Sequence, residues 1–134
     1  MLHHQITEKI IKAFYKVYNT LGYGFLEKVY ENALIHELRK MGLSVIQQKS
    51  IKVYYDTVLV GEYFADIVVE SVVIVELKAV ETLHESHSNQ LINYLKATEA
   101  EVGLLLNFGK KPELVRKIFT NDVKKICVHP SNQC

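Results

Sequence analysis

Tyr63-Phe64-Ala65-Asp66-Ile67-Val68-Val69-Glu70-Ser71-Val72-Val73-Ile74-Val75-Glu76-Leu77-Lys78 is the stretch of this 134-residue chain on which the fold class turns. Branched and aromatic residues fill 58–69 and 72–79, and Glu70-Ser71 is a short polar break between them. That layout predicts a β-hairpin. Its second arm is almost wholly apolar up to Glu76, as expected of a central strand covered on both faces.

Asp66, Glu76 and Lys78 interrupt the apolar arms of this hairpin. Side chains alternate along a strand, so Glu76 and Lys78 share a face and Leu77 takes the other. With the turn centred on Ser71, Asp66 falls opposite Glu76, where side chains approach to about 4.5–5.5 Å. Two carboxylates so placed in an apolar sheet repel each other and lose hydration. A divalent cation with oxygen ligands, aided by Lys78, answers both problems. The plainer alternative is a salt bridge from Lys78 to either acid on a half-exposed face.

Outward from the hairpin, Ile51, Val53 and Tyr55 alternate with polar residues, and Asp56-Thr57 is a turn signal. Towards the N-terminus, residues 7–21 have helical spacing with Thr7 as the expected cap, and Gly22 and Gly24 break the pattern. A second helix is predicted over 26–41, stopped by Gly42. On its wheel Leu26, Val29, Tyr30, Ala33, Leu34, Leu38 and Met41 form the apolar arc. Glu27 falls inside that arc, as does Glu37 near the far end. Glu27 either joins the acidic pair or curls to solvent as favourable charge at the helix start.

Beyond the hairpin, 86–98 returns to helical spacing, and 102–106 reads as a buried strand ended by Asn107-Phe108-Gly109. Lys110-Lys111-Pro112 reads as a loop, and 115–119 as an edge strand or short helix. The helix at 86–98 is a crossover, which makes the strands on either side of it parallel. His87, Gln90 and Tyr94 lie along one stripe of it, where the amide and phenol suit a phosphate or a carboxylate; a core-facing Tyr flanked by Gln is the simpler alternative. His84-x-x-His87 has generic spacing with no nearby cysteine, a weak case for zinc.

The net charge is +1, with 49% hydrophobic and 23% charged residues, an ordinary globular balance without the basic excess of many nucleic-acid binders. Lys49, Lys52, Lys96, Lys110, Lys111, Arg116 and Lys117 are the candidates for a local basic rim. Cys127 and Cys134 form no disulfide framework, the first residues lack a signal-peptide layout, and no apolar run approaches the roughly 20 residues of a membrane span. The expectation is a single domain over 1–124 with a poorly ordered tail over 125–134, cytoplasmic and without membrane contact.

Five blocks, in order and spacing, resemble the GxxExxY proteins, a branch of the PD-(D/E)xK superfamily. They are Gly24-Phe25-Leu26-Glu27-Lys28-Val29-Tyr30, Tyr63-Phe64-Ala65-Asp66, Glu76-Leu77-Lys78, Gln90-Leu91-Ile92-Asn93-Tyr94 and Leu104-Leu105-Leu106-Asn107-Phe108-Gly109. The likeness covers about residues 5–120. It implies an α/β fold with a restriction-endonuclease-like core, a mixed β-sheet flanked by α-helices, in agreement with the order α-α-β-β-β-α-β read above. It also implies a site in which Asp66, Glu76 and the Leu77 carbonyl hold Mg²⁺ or Mn²⁺. Lys78 then orients or deprotonates water, Glu27 completes the acidic cluster, and Gln90 and Tyr94 contact substrate. Ala65 stands where the superfamily often has proline.

The function expected is metal-dependent hydrolysis of nucleic acid, DNA or RNA undetermined. The alternative is a non-catalytic module, binding nucleic acid or protein, that retains the nuclease-like fold. A homodimer is a further expectation, with the exposed apolar stretch 58–60 as its candidate surface.

Overall fold

The computed structural model describes residues 2–126, so Cys127, Cys134 and most of the expected tail lie outside the described residues. The elements follow as α1 (His4–Leu21), α2 (Glu27–Lys40), β1 (Val45–Tyr55), β2 (Val58–Val69), β3 (Val73–Lys78), α3 (Glu85–Lys96), β4 (Val102–Phe108), β5 (Pro112–Ile118) and a closing 3₁₀ turn. The five strands form one sheet in chain order. β3 and β4 are parallel, bridged by α3, and every other neighbouring pair is antiparallel. This is the mixed sheet flanked by helices that a restriction-endonuclease-like fold requires.

Side-chain alternation divides the core into two layers. Val73, Val75 and Leu77 pack with α1 and α2, whereas Ile74 and Leu105 pack with Leu91 and Leu95 of α3. Glu76 and Lys78 share the parity of Ile74 and so face α3. Burying each such Leu, Ile or Val contributes roughly 1.5–3 kcal/mol, which makes these layers the main support of the hairpin. At the end of β4, Phe108 sits under Tyr30 (centroids 4.4 Å apart, stacked) and edge-on to Phe14 (4.9 Å), tying α1 and α2 to the sheet.

Several boundaries differ from the sequence expectation. Thr7 does not cap α1: the helix starts at His4, and the buried Thr7 hydroxyl donates back to the His4 carbonyl from inside the first turns. β1 begins at Val45 rather than near Ile51, because an edge strand tolerates the polar run Gln47-Gln48-Lys49-Ser50. Pro112 opens β5 instead of closing a loop, at a strand end where a missing N–H costs little. Lys124 is held by the carbonyls of Thr98 (2.8 Å) and Ala100 (2.6 Å).

The turn between β2 and β3 has Glu70 and Ser71 both at positive φ (52° and 59°), closed by Val72 N–H to Val69 C=O at 3.1 Å. Val72 adds a third residue to the loop, one more than a two-residue turn holds. This loop fixes the register Ile67↔Val75, Val68↔Ile74 and Val69↔Val73.

Candidate active site

The β2–β3 pairing stops at Ile67↔Val75, one step before Asp66 and Glu76. Here side chains replace the backbone ladder. The Asp66 N–H donates to Glu76 Oε2 (2.8 Å), and the Leu77 N–H donates to Asp66 Oδ2 (2.9 Å). Each carboxylate is thus clamped by the opposite strand, and both lie where the strands part. Register set by the hairpin turn brings the acids together; two charge-assisted bonds fix their orientation.

Glu76 is only 7% exposed. Burial, then the charge of Asp66, push the Glu76 carboxyl up to about 8, against weaker opposition from the Asp66 N–H bonded to it and, less, from Lys78. At neutral pH the pair therefore retains a proton. Lys78 makes no ion pair among the described residues, so the salt-bridge alternative is not what the chain adopts. Its charge instead lowers the His87 pKa, after burial and ahead of His84.

A second irregularity faces the first. Gln48 lies between the pairs Gln47↔Ile67 and Lys49↔Ala65, opposite Asp66, with φ at 53°. Ala65 packs with α3 whereas Ile67 packs with α1 and α2, and Ile51 and Val45 divide in the same way. Both strands change face at the Gln48/Asp66 step. The left-handed backbone of Gln48 costs about 1–3 kcal/mol. It lets the Gln48 amide bond Asp66 Oδ1 (3.3 Å) and both oxygens of Glu31 (3.2 and 3.3 Å).

Glu31 and Gln48 are the site-network residues that the sequence reading missed. Glu31 is 4% exposed, bonded to Lys28 Nζ (2.9 Å) and to the Gln47 amide. The buried stripe of α2 is Tyr30, Glu31, Leu34, Ile35 and Leu38. Glu27 points along this stripe but one turn beyond the core, and it is exposed rather than aimed inward. Leu26, assigned to the apolar arc from the sequence, is 80% exposed. Glu27 lies near enough to His87 to oppose the fall in its pKa. Among the described residues no three His, Cys, Asp or Glu side chains form a ready metal cluster. Between His84 and His87, the His84 N–H donates to His87 Nδ1 (3.2 Å).

Two clamps hold the flanks. Tyr30 Oη donates to the Gly22 carbonyl (2.7 Å) and accepts the Phe25 N–H (3.2 Å), fixing the loop that leads into Glu27. Gly22 and Gly24 there have φ of 68° and 109°, conformations that favour glycine. Beyond Lys78, the fully buried Asn107 accepts the Val80 N–H (3.0 Å) and donates to the Val80 carbonyl and Glu113 (both 2.8 Å). A side chain at Gly109 would meet the Val80 carbonyl oxygen at 2.3 Å, so the clamp needs glycine there.

On α3, Gln90 Nε2 donates to Tyr94 Oη at 2.9 Å. Burial, then Glu76 and Asp66, raise the Tyr94 pKa, which keeps the phenol proton available beside the acids.

The donor set suits a hard cation: the carboxylates of Asp66 and Glu76 and the adjacent Leu77 carbonyl are all oxygen, and a dication in place of the shared proton relieves the repulsion that raises the Glu76 pKa. A family model described as the PD-(D/E)XK nuclease superfamily matches residues 4–118. No curated protein and no solved structure matches the chain.

Proposed function

Because this chain belongs to the PD-(D/E)XK nuclease superfamily, we propose that it hydrolyses phosphodiester bonds in nucleic acid with Mg²⁺ or Mn²⁺, as a nuclease of the GxxExxY type. The observation that carries this reading is the interlocked Asp66–Glu76 pair where β2 and β3 part, with Lys78 next along the same face. Asp66, Glu76 and the Leu77 carbonyl would hold the cation, which would supply Lewis acidity to the phosphoryl group and to bound water.

The protein's own groups have separable tasks. Clamping by opposite-strand N–H groups keeps the two carboxylates in place without rotamer loss on binding. Lys78 sits on the α3 side of the sheet beside Glu76, where its ammonium orients water and stabilises charge building on the phosphoryl oxygens. The Asn107 clamp on Val80 steadies the strand end that carries Lys78. Tyr94 Oη, with its proton held and Gln90 bonded to it, serves as a donor to a substrate oxygen. Glu27, exposed at the rim, contributes charge to the His87 side.

Calorimetry with Mn²⁺ tests the metal assignment: wild type should bind and Asp66→Ala/Glu76→Ala should not. In a cleavage assay on mixed DNA and RNA substrates, Lys78→Ala should abolish turnover with its circular dichroism unchanged. Equal activity in the Lys78→Ala variant would sink the reading. Because the described residues offer a carboxylate pair rather than a trio, a second reading stands beside it, a module that binds nucleic acid without cutting it. Salt-sensitive binding with no turnover in Mn²⁺ would select it. The exposed Tyr55, Val58, Leu59 and Val60 support a homodimer, and a sedimentation mass of 15.4 kDa would contradict one.

A further inference from the structure

A cavity of about 580 Å³ opens between the β1–β2 strands and α3, with Tyr63 and Tyr94 in its lining. Its wall from the sheet is Tyr63, 49% exposed and tilted against the Tyr94 ring at 5.8 Å between centroids. Its wall from α3 is a row of amides, Asn89, Gln90 and Asn93, at the helical spacing that turns them to one side. Gln90 is engaged with Tyr94 Oη, while Asn89 and Asn93 are exposed and their side-chain amides make no hydrogen bond among the described residues.

The chemistry of this lining is selective. Among the described residues it contains no lysine or arginine, unlike the groove of about 590 Å³ that carries Lys49 and Lys52. His87 also lines it, but burial and then Lys78 lower its pKa, so a phosphate meets no permanent cation in the Tyr63 cavity. A flat, neutral group with donors and acceptors on its edge fits the lining: an exposed ring to stack on, apolar contacts from Val53 and Ala97, and amides that both donate and accept. The volume lies within the range of small-ligand pockets. Tyr94 belongs to this cavity and lies within electrostatic reach of Asp66 and Glu76, and Tyr63 stands three residues before Asp66 on β2, so the cavity is on the acidic pair's side of the molecule.

We propose that the Tyr63–Asn89–Asn93 cavity receives an unpaired nucleobase adjoining the scissile phosphate, which makes a single-stranded or locally unpaired strand the substrate class. The inference rests on the nuclease reading for the polymer involved, and on the cavity for the state of its bases. A base inside a duplex is stacked and paired and cannot enter without being extruded, at a cost that an unpaired strand avoids.

The test is fluorescence anisotropy in EDTA, where no cutting occurs, with the full chain. Probes are labelled short oligothymidylate and oligouridylate, an abasic strand of equal length, and a duplex. One stacked base is expected to favour a base-bearing strand over the abasic one by about tenfold. Tyr63→Ala should remove that preference and leave abasic binding unchanged. Asn89→Ala/Asn93→Ala, on an exposed helix face, should reduce it with the fold intact. Equal affinity for base-bearing and abasic strands, no binding of any strand, or tightest binding of the duplex with Tyr63→Ala without effect would each overturn the assignment. Mn²⁺ added afterwards separates the two readings. A base preference without cleavage keeps the cavity and removes the nuclease, and cleavage without base preference does the reverse.

Discussion

Replacing Glu76 with glutamine keeps the shape of the side chain and removes its charge, and the pH dependence of stability should then change in a defined direction. In the folded, metal-free protein the Glu76 carboxyl is pushed to about 8 from its ordinary 4.5, chiefly by burial and secondly by Asp66. Between those pH values the folded state holds a proton that the unfolded state has released. The unfolded chain then binds fewer protons, and stability falls as pH rises. Across the interval from 4.5 to about 8, at about 1.4 kcal/mol per pH unit, the loss is about 5 kcal/mol. That is a large share of the stability of a small domain. Glu76→Gln has no such proton to lose, so wild type and variant should diverge steadily over this window, the variant becoming the more stable above it. Urea unfolding followed by far-UV circular dichroism, in EDTA from pH 5 to pH 9, reads the difference directly. Parallel pH profiles for the two proteins would refute the reasoning, since burial of Glu76 would then carry no charge penalty. With Mn²⁺ at pH 8 the wild type should regain stability and the variant should gain little, because the cation takes the place of the proton.

Tyr30→Phe removes both hydrogen bonds of the Gly22–Phe25 clamp but leaves the ring on Phe108; the expected loss is about 1–3 kcal/mol in urea unfolding. Gln48→Gly relieves the left-handed backbone while cutting the link from Glu31 to Asp66, so stability should move by less than about 1 kcal/mol as cleavage falls. Asn107→Ala strands the Val80 N–H and carbonyl and should cost about 3 kcal/mol, with a fall in kcat from the loosened end of β3.

Much of the candidate site was legible because its residues are close in sequence and their geometry is local. A period-2 pattern and a polar break at Glu70-Ser71 sufficed to oppose Asp66 to Glu76 and to put Lys78 beside Glu76. Helical spacing likewise brought Gln90 and Tyr94 together. Glu31 left a signal that went unread: four residues after Glu27, it falls among Leu34, Ile35 and Leu38 on the wheel of α2. Gln48 left none. Its role depends on the β1–β2 register and on a positive φ that glutamine does not advertise. The wheel put Glu27 inside the apolar arc whereas its side chain is exposed, since a wheel gives direction around a helix but not where along its axis the core ends.

By itself the sequence determined the element order, the hairpin register, the parallel β3–β4 pair and the placing of Asp66 across from Glu76, all consequences of short-range periodicity and turn chemistry. Only the tertiary structure decided that the strands part at Asp66 and Glu76, so that carboxylates take the place of ladder bonds. It also decided that Gln48 and Glu31 brace the pair from the α2 side, and that Tyr63 meets an amide row on α3. Those outcomes join groups on different elements through burial and strand irregularity, and no local pattern encodes how far two packed layers leave a carboxylate from water.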